Sequence, residues 1–356
     1  MPAYRWFAGR LRKRKDTMNR REFVAGGAAM MRPQGARRIR IAFLGASHPH
    51  ASPKVFITQK SPEWELVGVW EPDPAVMARY AKAGVAALTR AQVLEDPSIP
   101  VVAVESDVPE HAAGAKAALE AHKHIHWEKQ PATNMEEFRA VLEVAARTKL
   151  LYQIGYMWRH NPGINAALEA ARAGWLGEIF FVRGTMNTQI GSDMRKAEAR
   201  FKGGQMFDLA GHMLDPIVRL MGRPERVTPY LRRGIRADDS LMDNTLAVFE
   251  WRRAMGTFSS ASMQPKPNTH RALELAGTEG TAMVYPIEPP SLHIDLNTAS
   301  GPYKAGAQTL SYSYTRYVDD FVELAAAVRG ERKLPITPEE DLLVQETLLR
   351  ASGMEG

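Results

Sequence analysis

The sequence predicts an α/β protein in which a doubly wound parallel sheet precedes an α/β domain with a large, mostly antiparallel open sheet. Short, β-rich apolar runs alternate with helical stretches in the first half, as they do in parallel sheets. From about Gln153 the pattern changes to long alternating runs joined by glycine-bearing turns, which suits an antiparallel sheet with one covered face. Hydrophobic residues make up 45% of the chain and charged residues 24%, as in folded globular domains.

Four apolar runs predict the parallel strands. They read "IRIAFLGA" at Ile39–Ala46, "WELVGVWEP" at Trp64–Pro72, "PVVAVES" at Pro100–Ser106 and "HIHWEKQP" at His124–Pro131. The stretches between and after them, such as "PEHAAGAKAALEAH" and "NMEEFRAVLEVAARTK", have alanine-rich faces and apolar residues at helical spacing. Strand and helix therefore alternate up to the change of pattern.

The second half predicts strands in "LGEIFFVRGTMNTQ", "DNTLAVFEWRRAMGTFSSASMQ", "HRALELAGTEGTAMVYP" and "SLHIDLN". A helix over "FDLAGHMLDPIVRLMG" interrupts these strands, and two helices close the chain. The predicted organisation is a basic leader over residues 1–37, a parallel-sheet domain over 38–152 and a second domain over 153–356.

The formal net charge of +6 is concentrated in the leader. Residues 1–40 carry twelve Lys or Arg against Asp16 and Glu22, so the rest of the chain is slightly acidic. Because the residues after the leader form no cluster of Lys and Arg, the sequence predicts that nucleic acid is not the main partner. The chain has no cysteine, which excludes disulfides and a thiolate nucleophile. We also expect no stable membrane insertion, because no apolar run reaches the ~18 residues that a spanning helix needs.

The leader contains a twin arginine, Arg20 and Arg21, followed by Phe23 and a weakly apolar stretch to Met31. This pattern resembles a bacterial twin-arginine export signal and predicts a periplasmic location. The alternative is a disordered basic leader on a cytoplasmic protein.

The segment "WEKQP" carries Glu128 and Lys129 at the predicted end of the fourth strand. Ligands bind at the carboxyl ends of the strands in this architecture. A lysine partly withdrawn from water can act there as a general acid or base. The alternative is an ordinary solvated pair of charges.

The segment "KGGQMFDLAGHMLD" places Asp208 and His212 four residues apart, hence on one face of a helix, with Asp215 further along the same side. His212 could exchange a proton near neutral pH while Asp208 orients it. A surface ion pair or a hydrogen-bonded core histidine would give the same spacing. Gly203 and Gly204 precede the helix and permit a close approach of the backbone, which favours a site.

Four motifs together resemble the Gfo/Idh/MocA family, the oxidoreductases of the glucose-fructose oxidoreductase and inositol dehydrogenase kind. They are the E-K-x-P of Glu128–Pro131, the G-G-x-x-x-D-x-x-x-H of Gly203–His212, "WRHNP" at Trp158–Pro162 and "ELAGTEGT" at Glu274–Thr281. The resemblance covers about residues 38–352. It implies a Rossmann-type nucleotide-binding domain, and a substrate and oligomerisation domain whose open sheet often forms the interface of a dimer or tetramer.

The resemblance also implies an activity and roles for particular residues. Members of the family mostly move a hydride between NAD(P) and a carbon of a sugar, cyclitol or related polyol. Lys129 would lie near the substrate hydroxyl, and Asp208 and His212 would bind the sugar and take its proton. Arg159 would lie beside the substrate or the cofactor. Glu71 would hold the ribose hydroxyls, which favours NAD over NADP.

The loop after the first strand departs from the family pattern. The G-x-G-x-x-G positions hold Gly45, Ser47 and His50, and His50 is bulky for a position that normally lets a helix pack closely on a strand. The topology gathers His48, His50, Glu71, Glu105 and Glu128 at the same edge of the sheet. Two imidazoles with carboxylates could hold a divalent ion such as Mn, Zn or Fe. They could equally line a substrate pocket or be exposed loop residues. Glu105 would repel a cofactor phosphate.

Three functional hypotheses follow. The first is an NAD(P)-dependent dehydrogenase of a sugar or polyol. The second is an NAD-independent lyase, hydratase or hydrolase that acts on a sugar, with or without a metal at His48 and His50. The third is a non-catalytic sugar-binding protein, which the combination of Lys129, Asp208 and His212 disfavours. Substrate specificity is expected in loops such as Asn187–Phe201.

Overall fold

The computed structural model describes residues 37–234 and 239–354. The predicted twin-arginine signal lies outside these ranges. Within them, no helix combines the length and the apolar character that crossing a membrane requires.

The first sheet confirms the predicted parallel architecture. Its strand order is β2-β1-β3-β4-β5, and every pairing between neighbours is parallel. The strands are β1 (Ile39–Leu44), β2 (Trp64–Trp70), β3 (Val101–Val104), β4 (His124–Trp127) and β5 (Tyr152–Ile154). All four residues of β3 are buried, because helices cover both faces of such a sheet. The three-residue strand β5 carries the sheet to Ile154, two residues past the predicted boundary.

Helices alternate with these strands. They are α1 (Ala51–Lys60), α2 (Pro74–Lys82), α3 (Arg90–Glu95), α4 (His111–Glu120) and α5 (Met135–Thr148). Local sequence explains where several of them begin. Asp73 accepts a hydrogen bond from the amide of Ala75 at 2.7 Å, and Asn134 accepts one from the amide of Glu137 at 2.9 Å. Both are N-cap residues that satisfy an otherwise unpaired amide of the first turn.

The second sheet confirms the large open sheet. Within the described ranges it has eight strands in the order β13-β12-β11-β10-β6-β9-β8-β7. They are β6 (Ile179–Thr185), β7 (Arg226–Arg232), β8 (Asn244–Trp251), β9 (Ala254–Ala261), β10 (Ala272–Gly277), β11 (Gly280–Val284), β12 (Ser291–Leu296) and β13 (Gly306–Ser311). The β6–β9 pair is parallel and the other pairs are antiparallel.

Helix α8 (Gly204–Met221) is the element that brings the second domain to the first. The other helices of this part are α6 (Pro162–Arg172), α7 (Ser192–Glu198), α9 (Val318–Val328) and α10 (Pro338–Ala351). Residues of α8 from Gly204 to Val218 are buried except for Asp208, which is half-buried. Met206, Phe207 and Met213 belong to the same buried cluster as Phe258 of β9. The helix is therefore fixed between this sheet and the ends of the parallel strands.

Candidate active site

The loop after β1 retains its first glycine for a steric reason. Gly45 has φ +81°, and a Cβ at this position would lie 2.5 Å from Cα of Ser106. Only glycine fits such a turn so close to the residues that follow β3. Ser47, the second fingerprint position, is exposed.

Glu71, at the end of β2, holds this loop in place. Its Oε2 accepts a hydrogen bond from the amide of Ala46 at 2.7 Å, and its Oε1 accepts one from the amide of Asp73 at 3.1 Å. The Tyr80 hydroxyl donates to the carbonyl of Ala46 at 3.1 Å. The structure thus brings Glu71 to the loop, as the sequence predicts.

His50 turns its imidazole toward the end of β4. Its Nδ1 lies 3.0 Å from Oε1 of Glu128, and its amide donates to Nδ1 of His48 at 3.2 Å. Ala51 and Val55 of α1 remain fully buried, so the bulky side chain does not prevent the helix from packing. Burial lowers the pKa of both histidines, against the attraction of Glu128, so both imidazoles are neutral near pH 7.

Lys54 occupies the centre of a buried charged cluster that the sequence did not reveal. Its ammonium donates to Oε1 of Glu105 at 2.8 Å and to Oε2 of Glu128, and all three side chains are inaccessible to solvent. Burial opposes the charge on Lys54, but the two carboxylates outweigh it and raise the lysine pKa. Burial raises the pKa of Glu105, whereas at Glu128 the charge of Lys54 and the hydrogen bond with His50 outweigh burial and hold the pKa well below the usual value.

The cluster corrects the expectation that Glu105 repels a cofactor phosphate. Glu105 is fully buried, its pKa is raised, and its carboxyl group is paired with Lys54. The Lys54 ammonium and the ionised Glu128 balance each other. The carboxyl group of Glu105 is therefore held by a buried ammonium and is not directed at the loop as an unpaired charge.

The same cluster bears on the metal hypothesis. Ligand atoms of His48, His50 and Glu128 lie within 4.8 Å of one another, and so do those of Glu105, His126 and Glu128. However, Nδ1 of His48 already accepts an amide hydrogen bond, and Glu128 is already neutralised by Lys54. A divalent ion beside a buried ammonium on the same carboxylate would be strongly repelled. The donor set does not fit a resident metal.

Lys129 and Asp208 meet across the two domains, as the sequence predicts. Nζ of Lys129 lies 3.0 Å from Oδ1 of Asp208, and the lysine side chain is 4% exposed. Gln130 also donates to the carbonyl of Asp208. The turn after β4 therefore holds the first turns of α8 at the mouth of the parallel sheet.

His212 lies in the same place, without a hydrogen-bond partner. Neither of its ring nitrogens is bonded to any described residue, although the side chain is buried. The ring centroids of His50, Trp158 and Tyr156 lie 5.6, 5.9 and 6.2 Å from that of His212. Burial, and then the positive charge of Lys129, lower its pKa well below the usual value. A buried imidazole with two unpaired nitrogens can donate one hydrogen bond and accept another from a polar ligand.

Two further buried groups belong to this region and escaped sequence analysis. Oε2 of Glu198 and both amide atoms of Gln205 have no partner within the described ranges. Burial, and then the neighbouring Asp208 charge, raise the pKa of Glu198 to about 9. Glu198 falls in the loop where specificity was expected, and Gln205 lies one turn before Asp208 on α8. Their places in the sequence were the only features that could have pointed to a site.

Arg159 belongs to a second group of buried charges. Its guanidinium donates to Oδ1 of Asp215 at 2.8 and 3.0 Å and also to Asp341, and its side chain is 6% exposed. It approaches the Tyr156 ring at 5.1 Å from the ring centroid. The structure therefore brings Arg159 and Asp215 together, and the Tyr156 ring lies between the Arg159 guanidinium and the neighbourhood of His212, at 5.1 Å from the first and 6.2 Å from the ring of the second.

Comparison with known proteins agrees with the architecture. Residues 39–156 match the NAD-binding Rossmann-fold domain of an oxidoreductase family, and residues 164–283 match the Gfo/Idh/MocA C-terminal domain. A levoglucosan dehydrogenase of Pseudarthrobacter phenanthrenivorans is 29% identical over 145 residues, which are 39% of this chain and 37% of that protein. The NAD-dependent scyllo-inositol 2-dehydrogenase of Bacillus subtilis is 27% identical over 59% of this chain and 61% of its own length. The matched regions thus span between 37% and 61% of these relatives.

A solved structure extends the likeness to nearly the whole chain. The WlbA dehydrogenase of Bordetella pertussis, solved with NADH and UDP-GlcNAcA, superposes with a TM-score of 0.72. The match covers 89% of this chain and 97% of that one at 18% sequence identity. At this identity the likeness concerns the fold.

Proposed function

Because this chain belongs to the Gfo/Idh/MocA family of oxidoreductases with an NAD-binding Rossmann fold, we propose that it is a dehydrogenase that transfers a hydride between NAD and a hydroxyl-bearing carbon of a sugar, cyclitol or related polyol. The observation that carries the proposal is the meeting of the Lys129–Asp208 pair with the unpartnered His212 at the mouth of the parallel sheet. These groups offer donors and acceptors to a neutral ligand rich in hydroxyls.

The residues of the cofactor loop fit a dinucleotide. Gly45 keeps the tight turn, and α1 begins directly after the loop, so that a pyrophosphate would lie near the positive end of the helix dipole. Glu71 would hold the ribose hydroxyls at the end of β2. Its carboxylate would also repel a 2′-phosphate, which supports NAD over NADP. Bound NAD would supply the hydride acceptor.

The proposal is tested by following NADH formation at 340 nm. Purified protein is incubated with NAD or NADP and a panel of inositols, hexoses and anhydrosugars. We expect NADH formation with at least one polyol and a preference for NAD. Absence of reduction across the panel, together with absence of nucleotide binding, would refute the proposal.

A homo-oligomer built on the large sheet is part of the proposal. Tyr230, Leu246 and Met255 lie on one face of β7, β8 and β9, and 50, 36 and 52% of their surfaces are exposed. Large apolar side chains on one open sheet are typical of an interaction surface. Light scattering should give the mass of a dimer or a tetramer, and Met255→Glu should reduce it.

We also propose periplasmic export, on the strength of Arg20 and Arg21 in the leader. Cell fractionation should find the protein in the periplasm. A variant with both arginines changed to lysine should stay in the cytoplasm.

A further inference from the structure

We propose that Arg271 binds a carboxylate group of the substrate, which is then an acidic sugar or a related polyol that carries one carboxylate, as uronic and aldonic acids do. The inference rests on the proposed function and narrows its substrate class. The Lys129–Asp208 pair and His212 suit the neutral, hydroxyl-bearing part of such a molecule. Arg271 suits its charged end.

The direction of the Arg271 side chain follows from the register of the second sheet. Arg271 has extended backbone angles, φ −76° and ψ 132°, directly before β10. Side chains alternate along an extended chain, so Arg271 points to the same face as Leu273. Leu273 pairs with Gly184 of β6, and a Cβ at Gly184 would lie 2.6 Å from Cγ of Met213 on α8. Arg271 therefore points to the face of the sheet that α8 covers.

The positive charge of Arg271 has no negative partner. Its Nε–H donates to the carbonyl of Asn187 at 3.3 Å, and the side chain forms no other hydrogen bond and no ion pair with the described residues. The residue is only 7% exposed. Burial, and then the neighbouring Arg316 charge, lower the pKa of Arg271 to about 10, so the guanidinium is still charged at pH 7. A buried cation with free donors is costly until an anion pairs with it.

Glu288 acts on Arg271 from nearby, but other side chains bind both of its carboxylate oxygens. Nε of Arg316 donates to Oε1 of Glu288 at 2.6 Å, and Nη2 of Arg316 donates to Oε2. The indole of Trp158 also donates to Oε1, at 3.2 Å. This group therefore holds two guanidinium charges against one carboxylate charge, and the excess positive charge belongs to Arg271.

The same group lies beside the candidate ligand site. The ring centroid of Trp158 is 5.9 Å from that of His212. Burial lowers the pKa of both His212 and Arg271, and the positive charge of Arg316 adds to the decrease in each. Arg271 and His212 therefore belong to one neighbourhood, on the face of the sheet that carries α8.

A carboxylate matches this unpaired guanidinium in charge and in shape. It carries a single negative charge, and its two oxygens can accept parallel hydrogen bonds from the planar fork of an arginine. A phosphate monoester carries about −1.5 to −2 charges near neutral pH and would leave an excess of negative charge. The carbonyl of Asn187 holds Nε, so both terminal nitrogens of Arg271 are left for the ligand.

The first experiment compares matched acidic and neutral ligands. Isothermal titration calorimetry gives the Kd values of glucuronate, galacturonate and gluconate, and those of glucose, galactose and glucitol, with and without bound NADH. We expect at least one acid to bind at least about tenfold more tightly than its neutral counterpart, because hydrogen bonds between charged groups are the stronger ones. Binding of no acid, or equal Kd values within every pair, would overturn the proposal.

The variant that tests the residue itself is Arg271→Met. It should weaken binding of the acid by at least about tenfold, while the Kd values of the neutral counterpart and of NADH stay within about threefold. Arg271→Lys keeps the charge without the fork and should retain part of the preference. Arg147→Met, whose side chain on α5 is 67% exposed, is the control and should keep all of it. A preference for the acid that survives in Arg271→Met would contradict the assignment.

Two other outcomes would identify a different anion. A weaker Kd for NADH in Arg271→Met, with unchanged binding of the acid, would assign the guanidinium to the phosphates of the nucleotide. Tighter binding of glucose 6-phosphate than of glucuronate, lost in the same variant, would assign it to a phosphate ester. Either result would replace the carboxylate and overturn the proposal.

Stability without ligand separates binding from a role in the fold. Arg271→Met leaves no carboxylate unpaired, so its melting temperature should be no lower than that of wild type. Arg316→Met leaves Glu288 without its guanidinium partner and should melt at a lower temperature. A larger decrease in Arg271→Met than in Arg316→Met would show that Arg271 serves the fold, against the proposal.

These measurements also separate this inference from the proposed function. If the wild-type protein reduces NAD and shows no preference for an acid, the inference alone fails. If the wild-type protein reduces no NAD and binds no nucleotide, the proposed function fails. The Kd values measured without NADH then still decide whether Arg271 binds a carboxylate.

Discussion

Nδ1 of His50 lies 3.0 Å from Oε1 of Glu128, and this contact joins the loop after β1 to the end of β4. The contact explains how a histidine can replace a fingerprint glycine. The imidazole bonds to a carboxylate across the mouth of the sheet, and the apolar residues of α1 still pack against the strands. The histidine that departs from the family pattern therefore contacts the glutamate of the E-K-x-P motif directly.

Lys54→Met should destabilise the protein by about 3–5 kcal/mol, because it leaves Glu128 as a buried charge without its ammonium partner. Urea unfolding at pH 7 measures the loss. Lys60→Met, at an exposed position of the same helix, is the control and should change stability by less than about 0.5 kcal/mol. Equal stability of the two variants would show that the Lys54 cluster does not support the fold.

Lys129→Met and Asp208→Asn should each lower kcat by a factor of about 100 or more, because the pair lies against the candidate ligand site. The circular dichroism spectrum should not change. Lys202→Met removes an exposed lysine just before α8 and should retain full turnover. Turnover near that of wild type in Lys129→Met would remove this residue from the site.

Glu198 should make stability depend on pH. Its pKa is raised in the folded state to about 9 from 4.5, so the folded protein binds this proton more tightly than the unfolded chain does. The contribution is fully present below pH 4.5 and is lost as pH rises toward 9. Glu198→Gln should therefore be more stable than wild type by about 1–3 kcal/mol at pH 8 and close to it at pH 4.5. Parallel stability curves for the two proteins between these pH values would contradict this.

Arg159→Met separates a structural role from a substrate contact. Removing the guanidinium leaves Asp215 and Asp341 without their shared partner, so we expect a loss of about 3–5 kcal/mol in the free energy of unfolding. The Kd for NADH should not change. Arg147→Met, whose side chain is 67% exposed, is the control for stability. A weakened Kd with normal stability would return Arg159 to the cofactor site.

The fold could be predicted because its signals are local. Buried parallel strands such as β3 are continuous apolar runs, and amphipathic helices such as α5 show their period directly. Strand β5 was missed because its three residues are too few to show an alternating pattern. Its first residue is only half-buried and its second is polar. Its pairing with β4 is a tertiary effect.

Only those site residues that belong to recognisable motifs could be predicted. Lys129, Asp208 and His212 belong to motifs, and the structure brings them together. Lys54 gave no signal, because a lysine on a helix normally faces water and its partners Glu105 and Glu128 are 51 and 74 positions away. Glu105 was misjudged for the same reason, since a carboxylate looks repulsive until its buried counterion is known.

Nucleotide binding is the most direct test that this protein is an NAD-dependent dehydrogenase. Wild-type protein is titrated with NADH and, separately, with NADPH, and the Kd values are taken from isothermal titration calorimetry. We expect saturable binding of NADH, at least about tenfold tighter than that of NADPH because Glu71 would repel the 2′-phosphate. Absence of binding of either nucleotide at millimolar concentration would contradict it.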